Sequence, residues 1–172
     1  MKFSTLKRIP LRWRARVLRA GFNLHPVFRS TGGRVEFISR DLLHIRIRLA
    51  LNRQTRNVVG SLFGGSLFSI TDGVHVAMLL THLHRDIIVW DKAAAIRYRK
   101  PAYCTVYADF TLDPADLDLI NAELDRDHET SRRFTVELKD KAGTVYTVVE
   151  RMVYIAEKAF YKQKQDSRYH SN

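Results

Sequence analysis

Residues 57–80, NVVGSLFGGSLFSITDGVHVAMLL, place backbone donors and a single acid in one short stretch. Gly64 and Gly65 allow a close backbone approach and positive φ angles that alanine resists. The helix expected to start there leaves its first N–H groups unpaired, and its dipole makes them suited to a carbonyl or phosphate oxygen. With Asp72 as origin and about 100° per residue, Leu67, Ile70, Val74, Ala77, Met78 and Thr81 fall on the opposite half of that helix. Asp72 shares its own face with Gly65, Phe68, Ser69, His75, Val76 and Leu79. Such a face is too apolar for open solvent, and an acid on it is costly unless paired or used, so a cleft or a subunit interface is expected there. Ser69 and His75 lie within about 60° of Asp72 by the same stepping. His75, at i+3, is its nearest titratable neighbour.

The surrounding chain must supply a wrapping for this apolar helix. Residues 1–25 read as a basic amphipathic helix, with Trp13, Val17, Ala20 and Leu24 recurring at three to four and Arg12, Arg16 and Arg19 on the flank. His25-Pro26 stops it. Alternation over residues 34–49, clearest in His44-Ile45-Arg46-Ile47-Arg48-Leu49, predicts a hairpin or bent pair of strands. After a polar loop and the central helix, residues 87–100 and 104–112 are strand-like. Their short link, Pro101-Ala102-Tyr103, predicts antiparallel neighbours. Asp113-Pro114 is expected to start a short helix or turn, with Asp113 as its cap and Pro114 at its first position. Residues 133–139 and 144–156 then form a hairpin about Asp140-Lys141-Ala142-Gly143. The residues from 157 onward read as a polar, frayed tail. The order predicts an α+β domain, an antiparallel β-sheet wrapped around a long central helix with an extra basic N-terminal helix.

The chain has 172 residues, 45% of them hydrophobic, which suits one domain with a full core. Its single cysteine, Cys104, excludes an internal disulfide and points to a reducing, cytoplasmic setting. No Cys pair or HExxH-like pattern offers a metal set, and His82 and His84 diverge on a helix, so neither metal nor cofactor is expected. The net charge of +11 sits at the ends: residues 1–35 hold nine Lys or Arg and no acid, whereas residues 36–155 hold sixteen of each sign. A neutral body without a nucleic-acid motif argues against a nucleic-acid partner. The basic helix is expected to dock on the domain, with peripheral contact to an anionic membrane or a mitochondrial presequence as alternatives. No run of residues is long and apolar enough for a membrane span.

Phe63-Gly64-Gly65-Ser66-Leu67-Phe68-Ser69-Ile70-Thr71-Asp72, with Asn57 six residues before Phe63, is similar to the signature of the phenylacetyl-CoA thioesterase branch of the hotdog-fold superfamily. Val89-Trp90-Asp91-Lys92-Ala93-Ala94 and the Arg-Tyr-Arg-Lys-Pro run ending at Pro101 resemble an allied uncharacterised hotdog family. The resemblance spans roughly residues 30–156, leaving residues 1–29 as a basic extension and 157–172 as a tail. It implies an acyl-CoA thioesterase acting as a homodimer or homotetramer on a small acyl thioester, with coenzyme A as part of the substrate. Under it, the Gly65 or Gly64 amide stabilises the oxyanion. Asp72, contributed across a subunit interface, serves as general base or nucleophile, two roles the sequence does not separate. Asn57 orients water or the carbonyl, Phe63, Gly64, Phe68, Ser69 and His75 line the substrate, and Arg97, Arg99 and Lys100 meet the phosphates. One position departs from the pattern. Phe63 stands where the branch has a histidine, which brings forward a second reading, a non-catalytic acyl-CoA-binding protein. A dehydratase acting on acyl-carrier-protein substrates is a weaker third, since its His-rich Pro-Gly motif is absent.

Overall fold

The computed structural model describes residues 9–169. Among the described residues two helices come first, α1 (Leu11–Leu24) and α2 (Pro26–Ser30), separated by His25 in extended conformation as the His25-Pro26 pair predicts; residues 1–8 of the expected N-terminal helix lie outside the described residues. Strands β1 (Gly33–Ile38) and β2 (His44–Leu49) form an antiparallel hairpin. In β2 the alternation is literal: Ile45, Ile47 and Leu49 are fully buried while Arg46 faces solvent. Each such burial stabilises the fold by about 1.5–3 kcal/mol relative to exposure.

The central helix is two helices, α3 (Gly64–Ser69) and α4 (Val74–His82), rather than the single long helix expected. Gly73 takes φ +67° between them, a left-handed conformation that glycine adopts without the Cβ clash of other residues. Leu67, Ile70, Val74 and Met78 still pack as one stripe against the sheet.

The remaining elements are β3 (Ile87–Tyr98), β4 (Val106–Thr111), α5 (Pro114–Asp127), β5 (Glu129–Lys139), β6 (Val145–Glu157) and α6 (Lys158–Tyr169). Asp113 caps α5 as expected, its Oδ1 accepting from Ala115 N at 2.9 Å. The six strands run in the order β1-β2-β4-β5-β6-β3, each pair antiparallel. This sheet, curled about the buried central helices, is the hotdog fold.

Two expectations are corrected. Strands β3 and β4 are not neighbours, because the local β5–β6 hairpin lies between them and β3 crosses to the far side of β6. Their Pro101-Ala102-Tyr103 link is no turn. Ala102 is buried, and its carbonyl accepts from Leu62 N at 2.9 Å, tying the link to the loop before α3. The frayed tail is instead helix α6, where Lys164 Nζ donates to both Glu129 carboxylate oxygens at 2.6 Å.

Candidate active site

Asp72 stands at the break between α3 and α4, and the residue that organises the break is Arg151 on β6. Alternation along β6 turns Val149, Arg151, Val153 and Ile155 to the core, so a guanidinium lies where its neighbours are aliphatic. Its Nη1 donates to Asp72 Oδ1 at 3.0 Å and to Asp91 Oδ2 at 3.1 Å. Its Nη2 reaches the Phe68 carbonyl at 3.0 Å and Thr71 Oγ1 at 3.0 Å, while Nε reaches the same Thr71 oxygen at 3.2 Å. The Phe68 ring lies under the guanidinium, 4.4 Å from centroid to carbon. Every donor direction is therefore used, which is what allows a charge to sit at 4% exposure.

The two carboxylates on Arg151 differ. Asp91, from β3, is mostly enclosed; burial, and then the adjoining Asp72 carboxyl, hold its pKa above the usual carboxylate range. The Gly73 amide also donates to it at 3.4 Å. Asp72 keeps 67% of its side chain exposed while Arg151 fixes one of its oxygens. It opens on a cavity of about 460 Å³ between the central helices and α1–α2, lined by Leu18, Phe22, Val27, Phe28 and Ala77 with Ser69, Thr31 and His25. An anchored acid with a free edge facing apolar walls can accept a proton or attack a carbonyl.

The glycine pair lies elsewhere on the chain's surface. The first intrahelical bond of α3 is Leu67 N to Phe63 O at 3.1 Å, so the amides of Gly64, Gly65 and Ser66 have no acceptor in the helix. Tyr98, on β3, donates its hydroxyl to Gly64 O at 3.1 Å, and a Cβ at Gly64 would come within 2.9 Å of that hydroxyl. The Phe63 ring occupies the space a Cβ at Gly65 would need. Neither glycine takes the positive φ their pairing allowed; both lie in helical backbone, with the exposed Tyr98 and Phe63 rings packed where a Cβ would stand. Arg97 and Arg99 flank Tyr98, exposed, and form no ion pair among the described residues. The cavity at Asp72 includes neither glycine nor Asn57. Asn57 is held by its own loop: its Oδ1 accepts from Val59 N and Ser61 N, both at 3.1 Å, and its Nδ2 donates to Ser61 Oγ at 2.9 Å.

A family model described as "Domain of unknown function (DUF4442)" matches residues 14–155. The chain belongs to the DUF4442 family. Among solved structures, this DUF4442 member is similar to a Pseudomonas aeruginosa protein of unknown function described as a probable thioesterase, with 19% identity, TM-score 0.72, and 82% of this chain and 94% of that one covered. It is similar to a Haemophilus influenzae thioesterase at 14% identity and TM-score 0.61, covering 83% and 90%. It is also similar to the PaaI protein of the E. coli phenylacetic acid degradation operon, at 13% identity and TM-score 0.54, covering 83% and 91%. No curated protein matches the sequence.

The DUF4442 chain keeps Phe68, Ser69 and Asp72 together, and separates His75 from them. Because the helix breaks before Val74, continuous stepping from Asp72 misplaces His75, although Val74, Ala77 and Met78 keep to the core side. His75 turns into the sheet, stacked on Phe134 at 4.0 Å and edge-on to Phe110 at 5.3 Å. Burial, with the charge of Arg151 adding, pushes its pKa down to about 4. It is a core histidine. Arg151 and Thr71 are the site residues the motif reading missed. Their trace was a charged residue in phase with Val149 and Val153 on a strand otherwise inward-facing and apolar, a position that demands a buried counter-ion.

Proposed function

We propose that the protein is an acyl-thioester hydrolase whose site is completed between subunits, with Asp72 as general base or nucleophile. The observation that carries the reading is the Asp72 carboxylate, anchored by Arg151 at 3.0 Å yet two-thirds exposed at an apolar cavity. The thioesterase descriptions of fold relatives support it. The Gly65 amide, lacking an intrahelical acceptor, suits the oxyanion that forms as the thioester carbonyl is attacked. Since the Asp72 cavity does not include the glycines, a second copy is expected to bring its Gly65 to this Asp72. Strand β3, twelve residues long and paired among the described residues with β6 alone, would provide the edge along which two copies join. Tyr98 ties that edge to Gly64, and the exposed Arg97 and Arg99 beside it would meet the phosphates of coenzyme A.

The chemistry then balances simply. Water adds to the carbonyl as Asp72 takes its proton, and the tetrahedral oxyanion, held by the amide, collapses to expel the thiolate, which is protonated. In the nucleophile variant the Asp72 carboxylate adds first and the adduct expels the thiolate, forming an anhydride that water opens to the acid and the free Asp72 carboxylate.

One observation favours a second reading, an acyl-CoA-binding protein without turnover: Phe63 places an apolar ring over Gly65. A panel of acyl-CoAs monitored for free thiol, beside Asp72→Asn, decides between them. Hydrolysis that falls by about a hundredfold or more in the variant supports the enzyme. Equal, negligible release with acyl-CoA-dependent thermal stabilisation of both proteins replaces the enzyme with the binder.

A further inference from the structure

Helix α1 has two apolar sides where one was expected. The sequence spacing assigned Trp13, Val17, Ala20 and Leu24 to the packed side, but of these only Val17 packs, partly buried, while α1 buries Leu18 outright with Ala15 and Phe22 partly buried against the core. At about 100° per residue Leu18, Ala15 and Phe22 lie across the helix from Trp13, Ala20 and Leu24. That second stripe faces out: Trp13 is 44% exposed, Leu24 70% and, just past the α1–α2 corner, Val27 69%. Arg12 and Arg16 flank it, the Arg16 guanidinium 4.9 Å from the Trp13 ring centroid. Residues 11–35 hold six arginines and no acid. Behind the corner, Arg29, Arg34 and Arg48 line an open cavity of about 900 Å³, and Arg19, Arg34, Arg48 and Lys141 line an adjoining one of about 460 Å³ beside Glu36.

We propose that this face is a docking surface for an anionic phospholipid membrane, with Trp13, Leu24 and Val27 entering the boundary between headgroups and acyl chains and the arginines contacting lipid phosphates. Charge complementarity selects the occupant. A second copy seated here would bring like-charged arginines together. A nucleic acid would match the arginines but not the outward apolar stripe, whereas an amphipathic helix with Trp and Leu on one side and arginines beside them suits an anionic bilayer interface. The face lies by β1, at the opposite end of the sheet from β3, so it stays available when β3 is paired. His25 and Val27 of this corner also line the Asp72 cavity, so docking holds that cavity beside the bilayer. Docking does not depend on the hydrolase reading.

The test is sedimentation of the full chain with vesicles of phosphatidylcholine alone and of phosphatidylcholine mixed with phosphatidylglycerol, at low and high salt. The doubly substituted Leu24→Ser/Val27→Ser and Arg12→Glu/Arg16→Glu chains are run beside it, with melting temperatures confirming that each is folded. Binding to the anionic vesicles, lost at high salt and weakened by about tenfold or more in each variant, is the expected result. Equal binding to both vesicle types, no binding to either, or binding by Leu24→Ser/Val27→Ser equal to the original overturns the proposal. Retention by duplex DNA with no vesicle binding overturns it in favour of a nucleic-acid surface.

Discussion

At the β1 edge of the sheet the side-chain amide of Asn23 stands in for a missing strand, donating to Val35 O at 2.9 Å and accepting from Val35 N at 2.8 Å. Arg19 adds a bond to Glu36 O at 3.3 Å, so helix α1 closes that edge from outside. The β3 edge is treated in the opposite way. Nothing among the described residues pairs with its outer side, and residues 92–95 are exposed, three of them alanine. Besides its ladder with β6, β3 is tied from within, through Asp91 on the buried Arg151. A long, open, small-residue edge is a template for another strand, and a covered one is not. The fold thus directs strand pairing to one side and reserves the other for its helices.

The largest expected effect comes from breaking the inner tie. Arg151→Met leaves Asp91 enclosed without its cation, and chemical unfolding should show a loss of about 3–5 kcal/mol. If β3 is held mainly by its backbone ladder, the loss will be far smaller. Next, Ala94→Glu places like charges near each other if two β3 strands pair about a two-fold axis, costing on the order of 3 kcal/mol of association. Light scattering should then report a monomer of undiminished melting temperature; an unchanged oligomer would remove β3 from the interface.

His75 lies under β4 and β5, between the two edges, and weakens both together. Its folded pKa, about 4, lies below the usual 6.5, so the neutral form favoured by the fold stabilises it above that value, and the advantage disappears as pH falls towards 4. Between pH 7.5 and 5 the loss is about 2 kcal/mol, read from denaturant midpoints, and His75→Phe should flatten it. His82, also lowered by burial, contributes a slope of the same sign. The smallest effect is at the covered edge: Asn23→Leu strips two bonds from Val35 and should cost about 1–2 kcal/mol, with faster amide exchange confined to β1. Exchange spreading to β3 would show that the edges are coupled.

Much of this was legible in local pattern. The alternation of β2, the Asp113 cap and the core stripe from Leu67 to Met78 all follow from period and propensity, which act within a few residues. The sheet order did not, since a short link with proline reads as a turn unless the competing β5–β6 hairpin is weighed against it. The break at Gly73 was hidden because an apolar periodicity can continue through a single left-handed residue. Trp13, Ala20 and Leu24 of the expected α1 stripe face outward, Val17 alone packing, for a related reason: both sides are apolar, and spacing alone cannot say which one the domain covers. At the site, Asp72 and the glycines were visible as a motif. Arg151 was not, because its partners lie 60, 79 and 80 positions away along the chain.

That separation has a consequence for the order of assembly. The chain is made from its N-terminus, so the loop of Thr71 and Asp72, and the strand bearing Asp91, exist long before their cation does. Until β6 has been synthesised, the Asp91 carboxylate that the finished protein encloses must stay solvated, Asp72 has no cation to anchor it, and β3 has no partner in the sheet. The candidate site is therefore among the last features of the molecule to form, and a nascent chain stopped short of Arg151 would have every residue of the motif without the cation that anchors Asp72.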